Sequence, residues 1–195
     1  MAFLRRRAAW PALRGERVLL RPPELEDHLA WATLRRESEA FLAPWEPSWA
    51  RDHLAARAFR ERVSWAARAI AEGKAYPLFA TRVEDGALLG AATLDNVRRG
   101  PAMAATLGYW IGERHARQGY MSEALEALRA FAFGELELSR LEAACLPENV
   151  ASRALLERVG FREEGVAEAY LQIDGRWRTH LLYACLREDR RSGGV

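Results

Sequence analysis

Cysteine and lysine are scarce in this chain. Its 195 residues include two Cys, and Lys74 is the single lysine among 29 basic residues. Two widely separated cysteines form neither a disulfide framework nor a metal site, so Cys145 and Cys185 are expected to be buried thiols in a reducing cytoplasm. No group of His, Cys and Asp residues has the spacing of metal ligands, so no metal site is predicted.

Long apolar runs and strong net charge are also missing. No apolar run approaches the ~20 residues of a membrane span, so no membrane partner is expected. Arg5, Arg6 and Arg7 open the chain without a following apolar segment, so no secretory signal is expected either. The net charge is only +2 with the arginines scattered, which argues against direct nucleic-acid binding. The length predicts one domain over residues 1–195, with a core from about 13 to 187.

Both common nucleotide fingerprints are absent. No glycine loop is followed by Lys and then Ser or Thr, so nothing supplies the charge and metal ligand of a nucleoside triphosphate site. No Gly-x-Gly-x-x-Gly opens a helix, which argues against a dinucleotide.

What the chain does contain is a basic turn between a strand and a helix. The apolar run 107–112 predicts a buried strand, and apolar residues at Met121, Leu125, Leu128 and Ala132 predict a helix. Between them, the turn at 113–119 includes Gly119, whose missing side chain lets a ligand approach the backbone. Free amides and the positive end of the helix dipole would bind an anion there. The ligand expected from this pattern is a phosphorylated cofactor.

A second motif follows about 30 residues later. A strand from Leu141 leads to Asn149, which is a strong helix cap, and the helix should end at Gly160 in a left-handed cap before Phe161. Further on, Asp174-Gly175 separates two runs rich in apolar and aromatic residues, which predicts a hairpin over 170–183.

These motifs together resemble the GNAT acetyltransferases, which bind acetyl-CoA. Arg114-x-x-Arg117-x-Gly119 is similar to their pyrophosphate loop, although Arg117 stands where a small residue is usual. The segments 41–47, 96–100 and 170–177 narrow the resemblance to the bacterial ribosomal-protein alanine N-acetyltransferases, the RimJ type. The resemblance runs from about Leu13 to about Arg187. It implies an α+β acyl-CoA N-acyltransferase fold, with a mixed, mostly antiparallel central sheet flanked by helices.

The order of elements agrees with an α+β fold. We expect strands at 17–21, 77–82 and 88–94, and a strand ending at Ile111. We expect helices at 24–39, 52–72, 120–134 and 149–159, and a loop at 44–47. In the first helix, Leu25, Leu29, Ala32 and Arg36 are expected along one stripe.

The resemblance also implies the site. The expected cofactor-binding residues are Trp110, Ile111, Gly112, Arg117, Gln118, Gly119, Tyr120, Met121, Ser122 and Asn149. The expected acceptor-binding residues are Trp45, Glu46, Asn96, Tyr109 and Tyr170, with Glu46 as a candidate ligand for an ammonium group. Ser152 is the candidate proton donor to the departing thiolate, because the position of the Tyr found in many relatives is Leu156 here. His115 is expected to be a solvated loop residue.

Several alternatives stay open. Ser152 and Asn149 could serve only the helix start, and Asn96 and Tyr170 could be structural residues of the sheet. The implied reaction is direct transfer from acetyl-CoA to the amino-terminal Ala of a ribosomal protein. A small amine such as an amino sugar or amino acid is an alternative acceptor, and a non-catalytic acyl-CoA-binding module is an alternative class. The sequence leaves monomer and homodimer equally open.

Overall fold

The computed structural model describes residues 12–188, so Arg5–Arg7 lie outside the described part. The strands are β1 (Leu13–Arg14), β2 (Val18–Arg21), β3 (Tyr76–Arg82), β4 (Leu88–Arg98), β5 (Ala104–Ile111), β6 (Arg140–Cys145), β7 (Arg162–Ile173) and β8 (Arg176–Leu186). The α-helices are α1 (His28–Glu37), α2 (Glu39–Leu42), α3 (Ala56–Ala71), α4 (Tyr120–Gly134) and α5 (Val150–Arg158).

All eight strands belong to one sheet in the order β1-β2-β3-β4-β5-β6-β8-β7. Neighbouring strands pair antiparallel except β5 and β6, which pair parallel. The predicted mixed, mostly antiparallel sheet with flanking helices is therefore confirmed.

The parallel pair separates along its length. Strands β5 and β6 pair only at Ala104 with Arg140, Ala105 with Leu141 and Thr106 with Glu142. Beyond these positions β5 stays paired with β4, while β6 stays paired with β8 as far as Cys145. A wedge-shaped gap, bounded by residues 107–111 on one side and 143–145 on the other, therefore opens within the sheet.

The two faces of the sheet are covered by different helices. One core cluster contains the buried residues of α4 and α5, with Tyr109 and Ile111 of β5 packed against it. A second cluster contains buried residues of α1 and α3, and Trp110 packs against that one. Because side chains alternate along a strand, β5 contributes to both clusters at the edge of the gap.

The buried face of α1 differs from the predicted one. Leu29 is 76% exposed and Leu25, just before the helix, is 53% exposed, whereas Trp31 and Leu34 are buried. Arg35 is buried as well, because an ion pair and two aromatic rings satisfy its charge. Of the stripe expected from spacing, Ala32 is buried, but Leu25 and Leu29 are not. The pattern missed Arg35, since a buried, paired arginine is read as a surface residue in a hydrophobicity pattern.

The cysteines and the helix ends follow the predictions. Cys145 and Cys185 are buried free thiols. The Asn149 side chain caps α5 by accepting a hydrogen bond from the Ser152 amide, and Gly160 after its end has a φ of +92°. Among residues 12–188, no helix has the length and apolar character needed to cross a membrane.

Candidate active site

Within residues 12–188, the backbone of β5 presents groups without a strand partner to the gap. The Gly112 N–H bonds to the Leu89 carbonyl at 2.9 Å, and antiparallel hydrogen bonding alternates along a strand. Trp110 therefore directs its backbone towards β4 like Gly112, whereas Tyr109 and Ile111 direct theirs into the gap. Of the predicted cofactor-binding residues on this strand, only Ile111 offers a backbone group there. Trp110 and Gly112 do not, a distinction that residue type could not reveal.

Two hydroxyl groups bridge the gap. The Tyr109 hydroxyl of β5 lies 2.7 Å from Ser152 Oγ in the first turn of α5, and 3.4 Å from the Ser152 carbonyl oxygen. Asn149 Oδ1 accepts the Ser152 N–H at 3.0 Å and so holds the helix start in place. The structure thus brings together Tyr109, Asn149 and Ser152, three residues that the sequence assigned to this site.

The surroundings of this pair suppress ionisation. Burial raises the pKa of Tyr109, with a smaller opposing effect from its hydrogen bond to Ser152. Burial also raises the pKa of Cys145 at the end of β6, again opposed by a hydrogen bond from Ser152. Leu156, one turn after Ser152, is fully buried in the core. The side chain that could donate a proton at this end of the gap is therefore a neutral hydroxyl.

The basic turn has the backbone geometry of an anion site. Arg117 and Gly119 both have left-handed φ values, +60° and +83°. At the start of α4, the Glu123 N–H donates a hydrogen bond to the Gly119 carbonyl at 3.1 Å. Within the described residues, the amides of 120–122 have no hydrogen-bond partner, and Gly119 as N-cap supplies no capping side chain. Three amides are thus available to a ligand at the positive end of a 15-residue helix.

The side chains of the turn have diverse surroundings. Arg117 and Gln118 are exposed, and Gln118 Nε2 donates to the Arg114 carbonyl at 2.8 Å. Met121 is buried in the core, so only its backbone is available to a ligand, while Ser122 is half-buried.

The prediction that His115 is solvated was wrong. The residue is 7% exposed, and burial followed by the charge of Arg114 lowers its pKa. Arg114 Nε donates to His115 Nε2 at 3.1 Å, which leaves the ring neutral with its proton on Nδ1.

Arg17 is a residue of this region that sequence reasoning missed. Its guanidinium lies 4.9 Å from the centre of the Tyr120 ring, and Nη1 donates to the Gln118 carbonyl at 3.3 Å. Glu123 accepts hydrogen bonds from Arg17 Nε and from the Arg17 and Val18 amides, so it attaches the β1–β2 turn to α4. No local signal in the sequence links positions 17 and 123.

The loop after α2 forms a wall beside the gap. Arg35 donates two hydrogen bonds to the Glu46 carboxylate, the longer being 2.8 Å, and Trp49 Nε1 donates to the same group at 2.9 Å. The Arg35 guanidinium lies between two rings, 4.2 Å from the centre of Trp49 and 4.7 Å from that of Trp110. Glu46 was expected to bind an ammonium group, but its carboxylate is already engaged with Arg35 and Trp49.

The tip of the last hairpin meets this loop. The Asp174 N–H bonds to the Glu46 carbonyl at 3.3 Å, and Arg178 pairs with Glu148 just before the cap of α5. Tyr170 is 45% exposed and touches the His180 ring edge-on at 5.7 Å between centres. Trp45, half-buried at the end of a short 3-10 turn, belongs to the same wall.

Asn96 lies elsewhere. On β4, Ala92 faces Tyr109, and Asn96 is four residues further along, beyond Asp95 opposite Thr106. At ~3.3 Å per residue its Cα lies roughly 13 Å along the strand from that of Ala92, at the closed end of the wedge. There it lines an open groove with Trp65 and Lys74. The acceptor contact expected of Asn96 stays a prediction.

The site fits a long phosphorylated thioester. The free amides of Tyr109 and Ile111 suit an extended chain laid in the gap, and the amides of 120–122 suit a phosphate at its end. No group of three or more His, Cys, Asp or Glu side chains within residues 12–188 is arranged to hold a metal ion.

The comparison with known families agrees with this geometry. Residues 17–162 match the family model described as "Acetyltransferase (GNAT) domain". The chain therefore belongs to the GNAT acetyltransferases, and it is an N-acetyltransferase that uses acetyl-CoA.

The most informative relatives are bacterial enzymes. The [ribosomal protein uS5]-alanine N-acetyltransferase of Escherichia coli (strain K12) is 33% identical over 181 residues, 93% of each chain. The structure of Mycobacterium smegmatis RimJ in complex with CoA-disulfide superposes with a TM-score of 0.83 at 35% identity, covering 88% of this chain and 83% of that one. The ribosomal-protein-S5-alanine acetyltransferase of Vibrio fischeri has a TM-score of 0.85 at 25% identity, covering 91% and 97%. The chain is an acetyltransferase of the RimJ/RimL type.

Proposed function

We propose that this enzyme transfers the acetyl group of acetyl-CoA to the amino-terminal Ala of a ribosomal protein, in a direct ternary complex. The single observation that carries the transfer chemistry is the Ser152 hydroxyl, which lies at the open gap within 2.7 Å of Tyr109. The choice of acceptor rests on the 33% identity with the E. coli enzyme that acts on the alanine of uS5. A ribosomal acceptor and two free, buried cysteines support action in the cytoplasm.

The proposed roles of the residues follow from their positions. Acetyl-CoA supplies an acyl group activated as a thioester. The amide of Tyr109 or Ile111 polarises the carbonyl in the gap, and the Ser152 hydroxyl donates a proton to the departing thiolate. The amides of residues 120–122 hold the pyrophosphate, with Gly119 leaving room for it and Arg117, Gln118 and Arg17 at its edge.

The acceptor would enter along the wall of Trp45, Trp49 and Tyr170. We propose that Glu46 shapes this wall through Arg35, since both its oxygens already accept hydrogen bonds. No carboxylate among the described residues is hydrogen-bonded to Tyr109 or Ser152. An amino terminus suits such a site, because its pKa of about 7.7–8.0 leaves a useful neutral fraction, whereas a Lys side chain at about 10.4 needs a strong base.

The test is a competition between peptides. A short peptide starting with a free Ala should be acetylated much faster than the same peptide with a blocked terminus and a free internal Lys. Mass spectrometry with fragmentation locates the acetyl group. Equal rates for the two peptides, or faster turnover of an aminoglycoside than of either, would overturn the amino-terminal acceptor. Absence of turnover with every amine would favour a non-catalytic acyl-CoA-binding module.

A further inference from the structure

We propose that Tyr109 is a positioning residue that aims the Ser152 proton into the gap, rather than a residue that binds the acceptor. The inference rests on the proposed function, in which Ser152 protonates the departing thiolate. It concerns the direction of one hydrogen bond, between the Tyr109 hydroxyl and Ser152 Oγ.

A serine hydroxyl has a single hydrogen to donate. If Ser152 donated it to Tyr109, none would remain for the thiolate. If Tyr109 donates instead, the serine oxygen accepts and its own hydrogen is free to point elsewhere. The direction of the 2.7 Å contact therefore decides whether Ser152 can act as an acid.

Two considerations favour Tyr109 as the donor. A phenol is a stronger acid than an alcohol and therefore the better donor of the two, and its single hydrogen serves the serine oxygen at 2.7 Å rather than the Ser152 carbonyl oxygen at 3.4 Å. Burial raises the pKa of Tyr109, so the phenol keeps its proton throughout the working pH range.

The position of Tyr109 suits this role. Tyr109 belongs to β5 and Ser152 to the helix after β6, so the hydrogen bond crosses the gap at its open end. In many relatives a Tyr of this helix occupies the position that is the fully buried Leu156 here. In this protein the phenol is Tyr109, on the opposite side of the gap. Tyr109 packs on the α4 and α5 face of the sheet, whereas Trp110 packs on the other face, where Arg35 lies between its ring and that of Trp49.

The reaction balances with Tyr109 unchanged. The amine nitrogen attacks the thioester carbonyl carbon, the carbon–sulfur bond breaks, and its electron pair remains on sulfur. The Ser152 proton moves to that sulfur. Solvent takes the proton lost by the amine and restores the one lost by Ser152. Tyr109 donates a hydrogen bond throughout and holds the serine oxygen, without losing its proton.

The test is a double-mutant cycle with Tyr109→Phe and Ser152→Ala. Tyr109→Phe should lower kcat by about 2- to 12-fold, the value of one hydrogen bond, and leave the KM for the acceptor peptide unchanged. In the Ser152→Ala background the same change should have almost no further effect. Tyr183→Phe is the control, because it removes a buried hydroxyl bonded to Arg153 and Glu163, and its effect should add to that of Ser152→Ala.

A measurement on the free protein separates this inference from the proposed function. In NMR spectra of protein labelled with 13C at the tyrosine Cζ, the Tyr109 resonance is the one that Tyr109→Phe removes, and Ser152→Ala should shift it. Calorimetry should give acetyl-CoA affinities within about twofold of wild type for both variants. Additive effects of the two changes, or a defect of Tyr109→Phe in the acceptor KM alone, would overturn the positioning role. An inactive Ser152→Ala alongside a fully active Tyr109→Phe would overturn the inference and leave the proposed function standing.

Discussion

At the scale of single residues, backbone conformation decides how the cofactor loop can be built. Gly119 has a φ of +83°, and a Cβ there would lie 3.2 Å from Arg17 Nη2. A β-branched residue is strained in this region by about 1–2 kcal/mol and would also displace Arg17. The glycine keeps both the backbone and the basic side chain beside the first turn of α4.

Gly119→Val should therefore weaken acetyl-CoA binding by about 5- to 30-fold, because strain of about 1–2 kcal/mol falls on the loop proposed to hold the phosphate. Calorimetric titration in excess chelator measures this change, and wild-type binding should persist there since no metal is required. Gly86→Val is the control, since Gly86 has a φ of +73° with open space around it in the β3–β4 turn. Gly86→Val should lower the free energy of unfolding but leave the acetyl-CoA affinity unchanged. Normal binding by Gly119→Val would show that the loop is misassigned.

At the scale of elements, boundaries were predicted better than buried faces. Helix α4 spans the predicted 120–134, and α5 begins after its Asn149 cap, because capping and termination are local signals. The Asp174-Gly175 turn has φ values of +47° and +72°, as the hairpin signal requires. Strand β7 begins at Arg162, earlier than predicted, since its exposed, polar first half shows no apolar alternation.

Helix α1 offers a direct test of which face is buried. Leu34→Ala should lower the free energy of unfolding by about 2–5 kcal/mol, because Leu34 is 1% exposed and packs against Gly112. Leu29→Ala on the same helix should change it by less than about 0.5 kcal/mol, since Leu29 is 76% exposed. Urea denaturation measures both. Equal losses of unfolding free energy in the two variants would contradict the burial of Leu34 and the exposure of Leu29.

At the scale of the whole molecule, positive charge collects near the wall formed by the loop after α2. Burial lowers the pKa of His53 from 6.5 to about 4, and the charges of Arg35 and Arg62 add to the effect. The His53 ring stacks on Trp49 at 5.0 Å between centres. Protonating this histidine in the folded protein would place a third cation beside two arginines.

Stability should therefore fall as the pH falls. The pKa of His53 is lower in the folded than in the unfolded state, so between about pH 6.5 and 4 the unfolded chain binds more protons and folding loses free energy. The full shift corresponds to about 3 kcal/mol, which screening at this half-buried site reduces to about 1–2. Urea denaturation between pH 7.5 and 5.0 measures the slope.

His53→Gln should flatten that slope, whatever it does to stability at pH 7.5, leaving a smaller contribution of the same sign from His115. An unchanged slope would exclude His53 as its source. The same curves test our proposal that residues 1–195 form one domain, because a single domain should unfold in one transition with every probe.

The sequence by itself determined the parts of this protein that rest on neighbouring residues. The glycine turn, the caps of α5, the Asp-Gly hairpin and the apolar strands are set by local conformational preference, and they sufficed to indicate the family and the positions of Gly119, Asn149 and Ser152. Tertiary structure alone decided which groups meet. Tyr109 reaches Ser152 only because β5 and β6 diverge. The Glu46 carboxylate accepts hydrogen bonds from Arg35 of α1 and from Trp49 of its own loop. Strand register, which depends on pairing between distant segments, places Asn96 at the closed end of the gap.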